Sequence, residues 1–255
     1  MRGARFRRVI VNRPNLRIPF PHRFVERLRG QTVGAVSRRG KYLTLELSSG
    51  ETLIMHLGMS GWFYVAATGD RSREPDPHDH VVFVMTSGQT VLFNDPRRFG
   101  FMDLAASGES AHYPSLKALG PEPLSPDFGA AALARACRGK NVALKVALLD
   151  QRIVAGLGNI YASEALHHAR LSPLRKASIL ATRTGTPTIE AKQLARSIKA
   201  VLTSAINRRE SPYGSARFRV YEREGLACLR PRCGGTIRRL WQAGRSTFYC
   251  PKCQQ

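Results

Sequence analysis

Tyr42-Leu43-Thr44-Leu45-Glu46-Leu47 alternates apolar and polar side chains with the two-residue period of a half-buried strand. Ser48-Ser49-Gly50 follows as a hairpin turn, and Thr52 opens a second apolar run. Working outward, the same grammar recurs at 32–39, 52–57, 62–66, 80–85 and 90–94, with Ser87-Gly88 as a further turn. Short strands at regular spacing between residues 31 and 104 predict an antiparallel sandwich or barrel. Residues 68–79, with two prolines and mixed charges, read as a loop between strands.

The pattern changes after that. Four prolines and little apolar periodicity mark 107–127 as an interdomain linker. Apolar residues then fall at helical spacing over 128–137, 142–149, 160–169 and 189–207, with Gly139, Gly156 and Gly158 as breaks. The expected organisation is α+β: a β-sandwich domain over 1–106, the linker, a helical domain over 128–216, and a cysteine-bearing segment over 217–255.

Forty Lys and Arg against 18 Asp and Glu leave a net charge of +22, a field that concentrates polyanions at the surface. Nucleic acid leads as partner over a ribosome-like role, a membrane surface or charge for solubility alone. No apolar run reaches the length of a membrane span, and Met1 to Val11 lacks the hydrophobic region of a secretory signal. A cytoplasmic protein near the nucleoid, with no membrane partner, is the expectation.

Four of the five cysteines lie at 228 and beyond, which is not the distribution of a disulfide framework; Cys137 sits alone in an Ala-rich helical stretch as a small core residue. Cys228-x4-Cys233, sixteen residues, then Cys250-x2-Cys253 form two knuckles that can place four thiolates around one Zn²⁺. A closed set of four sulfurs leaves no position for chemistry, so this zinc is structural and supplies folding free energy to a small segment. Between the knuckles, 236–241 and 246–249 read as two strands, with 242–245 as the hairpin tip that carries Arg245.

Asp150-Gln-Arg-Ile-Val-Ala-Gly-Leu-Gly-Asn-Ile-Tyr-Ala-Ser-Glu164 puts a two-glycine turn before a helix beginning near Asn159. A helix start presents unpaired amides to a phosphate, and Gly158 permits a close approach.

Several motifs together resemble the bacterial formamidopyrimidine-DNA glycosylases. Cys233-Gly-Gly-Thr-Ile237 and Arg245-Ser-Thr-Phe-Tyr-Cys250-Pro-Lys-Cys253-Gln254 are similar to that family's finger, and the Gly156 to Glu164 segment to its helix-two-turn-helix. The resemblance implies that Arg245 grips the phosphate at the lesion and assists elimination, that Asn159 holds a backbone phosphate, and that a basic DNA contact lies near Asn141, at Asn141 or Lys140, where Lys140, Asn141 and Lys145 flank the first helix. Arg38-Arg-Gly-Lys41 resembles the segment that presents a lysine to phosphates beside the damaged nucleotide, which gives Lys41 a catalytic part. His56-Leu-Gly-Met59-Ser-Gly61 and Asn94-Asp-Pro-Arg97-Arg98-Phe99-Gly100 resemble the turns whose Met, Arg and Phe enter the duplex, and His78 matches a family position near DNA. An extruded base leaves a void and an orphaned partner, which apolar wedges fill and an arginine hydrogen-bonds. Taken singly, Met59 also reads as core, Asp95-Pro96 as a tight turn and His80 as a satisfied strand residue.

The resemblance implies excision of 8-oxoguanine and formamidopyrimidines from double-stranded damaged DNA by a monomer, with β,δ-elimination at the abasic site. Family members open with Pro-Glu-Leu-Pro-Glu, whose proline amine attacks the sugar. Met1-Arg-Gly-Ala-Arg-Phe6 resembles instead the sequence just after that helix, which points to a start assigned late, and 207–217 reads as shorter than the family's loop over the oxidised base. A damaged-DNA binder without lyase chemistry stands as the alternative, and the pyrimidine-directed endonuclease VIII branch as a third reading.

Overall fold

The structure is a computed structural model that describes residues 1–68, 70, 73–207 and 218–255. The chain divides into two compact units, Met1–Lys117 and Ala118–Gln255.

The first unit is a sandwich of two four-stranded antiparallel sheets. Strands β1 (Phe6–Val11), β6 (Asp79–Met85), β7 (Thr90–Asn94) and β5 (Trp62–Ala66) form one sheet in that order; β2 (Val33–Arg39), β3 (Tyr42–Leu47), β4 (Thr52–His56) and β8 (Phe101–Ala105) form the other. Tyr42 to Glu46 run in register with His56 to Thr52, as the hairpin pattern requires. The inward faces supply one core that includes Phe6, Phe83 and Phe93 from the first sheet and Leu45, Leu53 and Met102 from the second. A short helix, α1 (Phe24–Leu28), packs on β1 and buries Phe24 and Leu28.

The six strands expected between residues 32 and 94 lie within a residue of those limits. Strands β1 and β8 come in addition. Strand β1 escapes the alternation rule because a bulge between Phe6 and Arg8 leaves two arginines exposed in succession between buried Phe6 and Val9. In the proline-rich stretch the chain forms one turn of 3-10 helix, Ser110–His112, and a four-residue helix, α2 (Pro114–Lys117).

The second unit is built on α3 (Ala130–Cys137), α4 (Leu144–Leu149), α5 (Asn159–His168) and α6 (Ile189–Ile206), around a core that includes Leu133, Leu148, Leu166 and Leu194. Cys137 belongs to that core, and burial pushes its thiol up to about 11. Helix α6 starts at Thr188, whose Oγ1 accepts from the amide of Ala191. The two-stranded hairpin of β9 (Arg238–Gln242) and β10 (Arg245–Tyr249) turns through Ala243 and Gly244, both with positive φ, where the sequence placed the tip. The shortened stretch singled out above, residues 208–217, lies outside the described residues.

Candidate functional site

In the first unit two turns meet. Met59 projects from the 57–61 turn with 69% of its surface exposed, so it is not a core residue. Phe99, 39% exposed, and Arg97 lie on the turn between β7 and β8, the guanidinium 4.5 Å from the phenyl centroid. Buried Asp95 joins the turns: one carboxylate oxygen accepts from Ser60 Oγ at 2.5 Å, the other from the Gly100 amide at 2.7 Å. Ser60 Oγ also lies 3.3 Å from the Arg97 amide, which donates to it. Gly58 has φ +68, and a Cβ there would sit 2.4 Å from the Phe99 carbonyl carbon. Glycine at 58 lets the two backbones touch.

Asp95-Pro96 does form a tight turn, closed by the Arg98 amide on the Asp95 carbonyl at 3.1 Å. His80 is buried on β6 with Nε2 2.9 Å from the Asp95 carbonyl, but its Nδ1 is buried with no hydrogen-bond partner among the described residues, so the satisfied strand residue expected is satisfied at one ring nitrogen. His78 is exposed beside it, its carbonyl accepting from the Asp95 amide.

Lys41 is exposed on the Gly40-Lys41 turn between β2 and β3. It lies near His56, whose imidazole is stacked on Phe101 at 5.7 Å and held below its usual pKa by burial and then by the Lys41 and Arg17 charges. His56 Nδ1 accepts from the Gly58 amide at 2.9 Å, so the lysine turn and the methionine turn share an anchor.

In the second unit α5 begins at Asn159 behind Gly158, with no side-chain cap. Gln151 braces the approach: its amide nitrogen donates to the carbonyls of Leu149 and Leu157, and its oxygen accepts from the Gly156 amide. Asn159 is tied to the hairpin. Its Nδ2 donates to the Ser246 carbonyl at 3.0 Å, and its Oδ1 accepts from Lys145 Nζ at 2.6 Å. Lys145 also donates to the Ser246 carbonyl and to Thr247 Oγ1, which satisfies all three ammonium donors. Burial, then the charge of Arg245, pulls its pKa down to about 8. Arg245 itself is exposed at the start of β10, so Asn159, Lys145 and Arg245 form one basic corner. Asn141 is exposed on the segment ahead of α4. Further along α5, Glu164 accepts from the amides of Arg219, Val220 and Tyr221 and fixes the entry to the finger.

The ligating atoms of Cys228, Cys233, Cys250 and Cys253 all lie within 4.8 Å of one another, with Cys228–Cys253 at 3.9 Å and Cys233–Cys250 at 3.6 Å. Four sulfurs about 2.3 Å from one Zn²⁺ in a tetrahedron lie about 3.8 Å apart, so the set fits the ion. Gly235 closes the cradle, since a Cβ there would meet Cys250 Sγ at 2.7 Å. With four thiolates the ion is structural and holds the finger folded.

Lys145, Ser60, Asp95, Gln151 and Glu164 carry this geometry without a motif that marks them as site residues: Lys145, Ser60, Asp95 and Glu164 have partners 14 or more residues away, and Gln151, whose partners are local, acts through backbone groups that leave no side-chain pattern. A lysine buried on a helix among apolar residues was the one available signal.

Residues 1–102 match the model described as formamidopyrimidine-DNA glycosylase N-terminal domain, 119–215 the H2TH domain of the same glycosylase, and 228–255 a zinc finger found in FPG and IleRS. The chain belongs to the formamidopyrimidine-DNA glycosylase family. It is 50% identical to the Bradyrhizobium diazoefficiens formamidopyrimidine-DNA glycosylase over 277 aligned positions, covering all of this chain and 94% of that protein. Those 277 positions exceed the 255 residues here, so that member carries residues within the aligned span that this chain lacks.

Among solved structures, the Thermus thermophilus MutM (FPG) protein superposes with a TM-score of 0.81 at 38% identity, covering 100% of this chain and 92% of that one. The Lactococcus lactis Fpg in complex with FAPY-dG-containing DNA gives 0.85 at 30%, covering 99% and 93%. The expected fold, an antiparallel sandwich followed by a helix-two-turn-helix unit with a zinc hairpin, is the one these glycosylases have. No helix among the described residues is long and apolar enough to cross a membrane.

Proposed function

We propose that this chain works in base-excision repair, removing 8-oxoguanine and formamidopyrimidines from duplex DNA and opening the strand at the abasic site by β,δ-elimination. The observation that carries this reading is the exposure of Met59 and Phe99 on two interlocked turns, because large apolar side chains held out in water gain a partner when a base leaves its stack. Arg97 addresses the orphaned base, while Lys41 and Arg245 neutralise the phosphates flanking the extruded sugar. His78, Asn141 and Asn159 add backbone contacts, and the charge of +22 draws the duplex in.

In this chemistry an enzyme amine attacks C1′ and the C1′–N bond breaks as the base leaves with a proton; the C1′–O4′ bond then opens, O4′ takes a proton, and an imine forms. The imine acidifies the C2′ proton; its removal expels the 3′ phosphate, and a second elimination expels the 5′ phosphate. The zinc takes no step. The protein acts as a monomer in the cytoplasm, on the nucleoid.

Borohydride trapping of the protein isolated from its natural source, on a duplex bearing 8-oxoguanine or an abasic site, tests this. A covalent adduct and strand scission are expected. Tight lesion binding with neither would reduce the function to recognition of damage.

A further inference from the structure

Helix α5 carries a residue that the phosphate contact does not use. His167 is fully buried, and its Nε2 lies 3.3 Å from Cys228 Sγ. Its Nδ1 is buried with no hydrogen-bond partner among the described residues.

We propose that His167 donates its Nε2–H to the Cys228 thiolate, acting as a positioning residue of the zinc site and holding that site to α5. The tautomer follows from the surroundings. A zinc-bound thiolate only accepts, so the nitrogen facing it must carry the hydrogen. A hydrogen on Nδ1 instead would bury an unpaired donor and set two acceptors against each other, whereas a bare Nδ1 costs much less. His167 is not a ligand, because the cluster of mutually close ligating atoms contains the four cysteines alone.

Four thiolates around Zn²⁺ leave a net double negative charge in a largely buried spot, and donors to sulfur offset it. The His167 carbonyl accepts from Arg230 Nη2, two residues beyond Cys228, so the imidazole and the backbone of one residue clasp the first knuckle from both sides. Beyond α5 the seam continues, as Ser172 donates to the Gln255 carbonyl and Gln254 Nε2 to the Leu171 carbonyl. Asn159 at the start of the helix and His167 in its last turn thus both meet the finger.

The test uses the full chain with ¹¹³Cd exchanged into the zinc site. A scalar coupling between ¹¹³Cd and the His167 Hε2, transmitted across Cys228 sulfur, is expected, and its absence overturns the proposal. His167→Phe keeps the apolar packing and removes the donor; metal transfer to a chelator should quicken about tenfold or more, with a moved ¹¹³Cd resonance, and His167→Gln should recover part of the loss. Release within about twofold of the parent, or a ¹¹³Cd shift of three sulfurs and one nitrogen, would sink it. Where His167→Phe does not fold, the coupling in the parent protein decides.

Discussion

Lys145 Nζ lies 2.6 Å from Asn159 Oδ1, so the asparagine that opens α5 is oriented by a buried ammonium instead of being left to find a phosphate unaided. With its oxygen on Lys145 and its nitrogen on the Ser246 carbonyl, the side chain has one orientation, and that orientation depends on the hairpin being in place.

Lys145→Met removes the cation and strands the acceptors on Asn159 and Thr247, leaving the Ser246 carbonyl with Asn159 Nδ2 alone. Loss of a buried, fully hydrogen-bonded charge predicts a destabilisation of about 2–4 kcal/mol in chemical denaturation. DNA affinity should fall with the salt slope unchanged, since the buried ammonium is not itself a phosphate contact.

The lowered pKa of Lys145 has a sign that titration can read. Between pH 8 and 10.5 the unfolded chain holds a proton on this lysine that the folded chain has released, so stability rises with pH across that window through this group. Below pH 8 both states are protonated and the cost of the buried charge is constant. NMR of the Lys145 Cε should titrate near 8, and the difference in unfolding free energy between the parent and Lys145→Met should change only within the window.

Gly58→Ala forces a Cβ to 2.4 Å from the Phe99 carbonyl carbon at a positive φ. The expected cost is about 3 kcal/mol from strain and displaced backbone together. Thermal unfolding measures it, and 2-aminopurine fluorescence opposite the lesion should show slower base extrusion at temperatures where the variant stays folded.

Arg245→Ala should weaken binding to lesion duplex and shallow the dependence of log K on log salt by about one phosphate contact. A parallel line displaced to weaker binding would remove Arg245 from the contact list.

Cys250→Ser takes a fully buried thiolate from the tetrad. Elemental analysis should show less than a full zinc equivalent, and hydrogen exchange should lose protection across β9 and β10 while the core of α3 to α6 keeps its own.

What the sequence displays is whatever repeats or spaces itself locally. Strand β3 declares itself through six alternating residues, and the zinc ligands through the intervals between four cysteines. Strand β1 does not, because its bulge breaks the period at Arg7 and Arg8. Met59, Arg97 and Phe99 could be named from motifs, but the Ser60–Asp95 bond that joins their turns spans 35 residues and has no local signature. Lys145 reaches Ser246 across 101 residues, and His167 reaches Cys228 across 61. Side chains whose partners come from distant segments become legible only once the chain has closed.

The backbone contact at Gly58 limits how this protein can be altered. At Gly58 the turn of residues 57–61 lies against the backbone of Phe99 and Gly100 with no room for a side chain, and Asp95 is bonded to both turns. Neither turn can be lengthened, swapped or borrowed from another glycosylase by itself. A graft meant to change which lesion is admitted must carry both segments as one cassette, and natural divergence at either must be answered at the other.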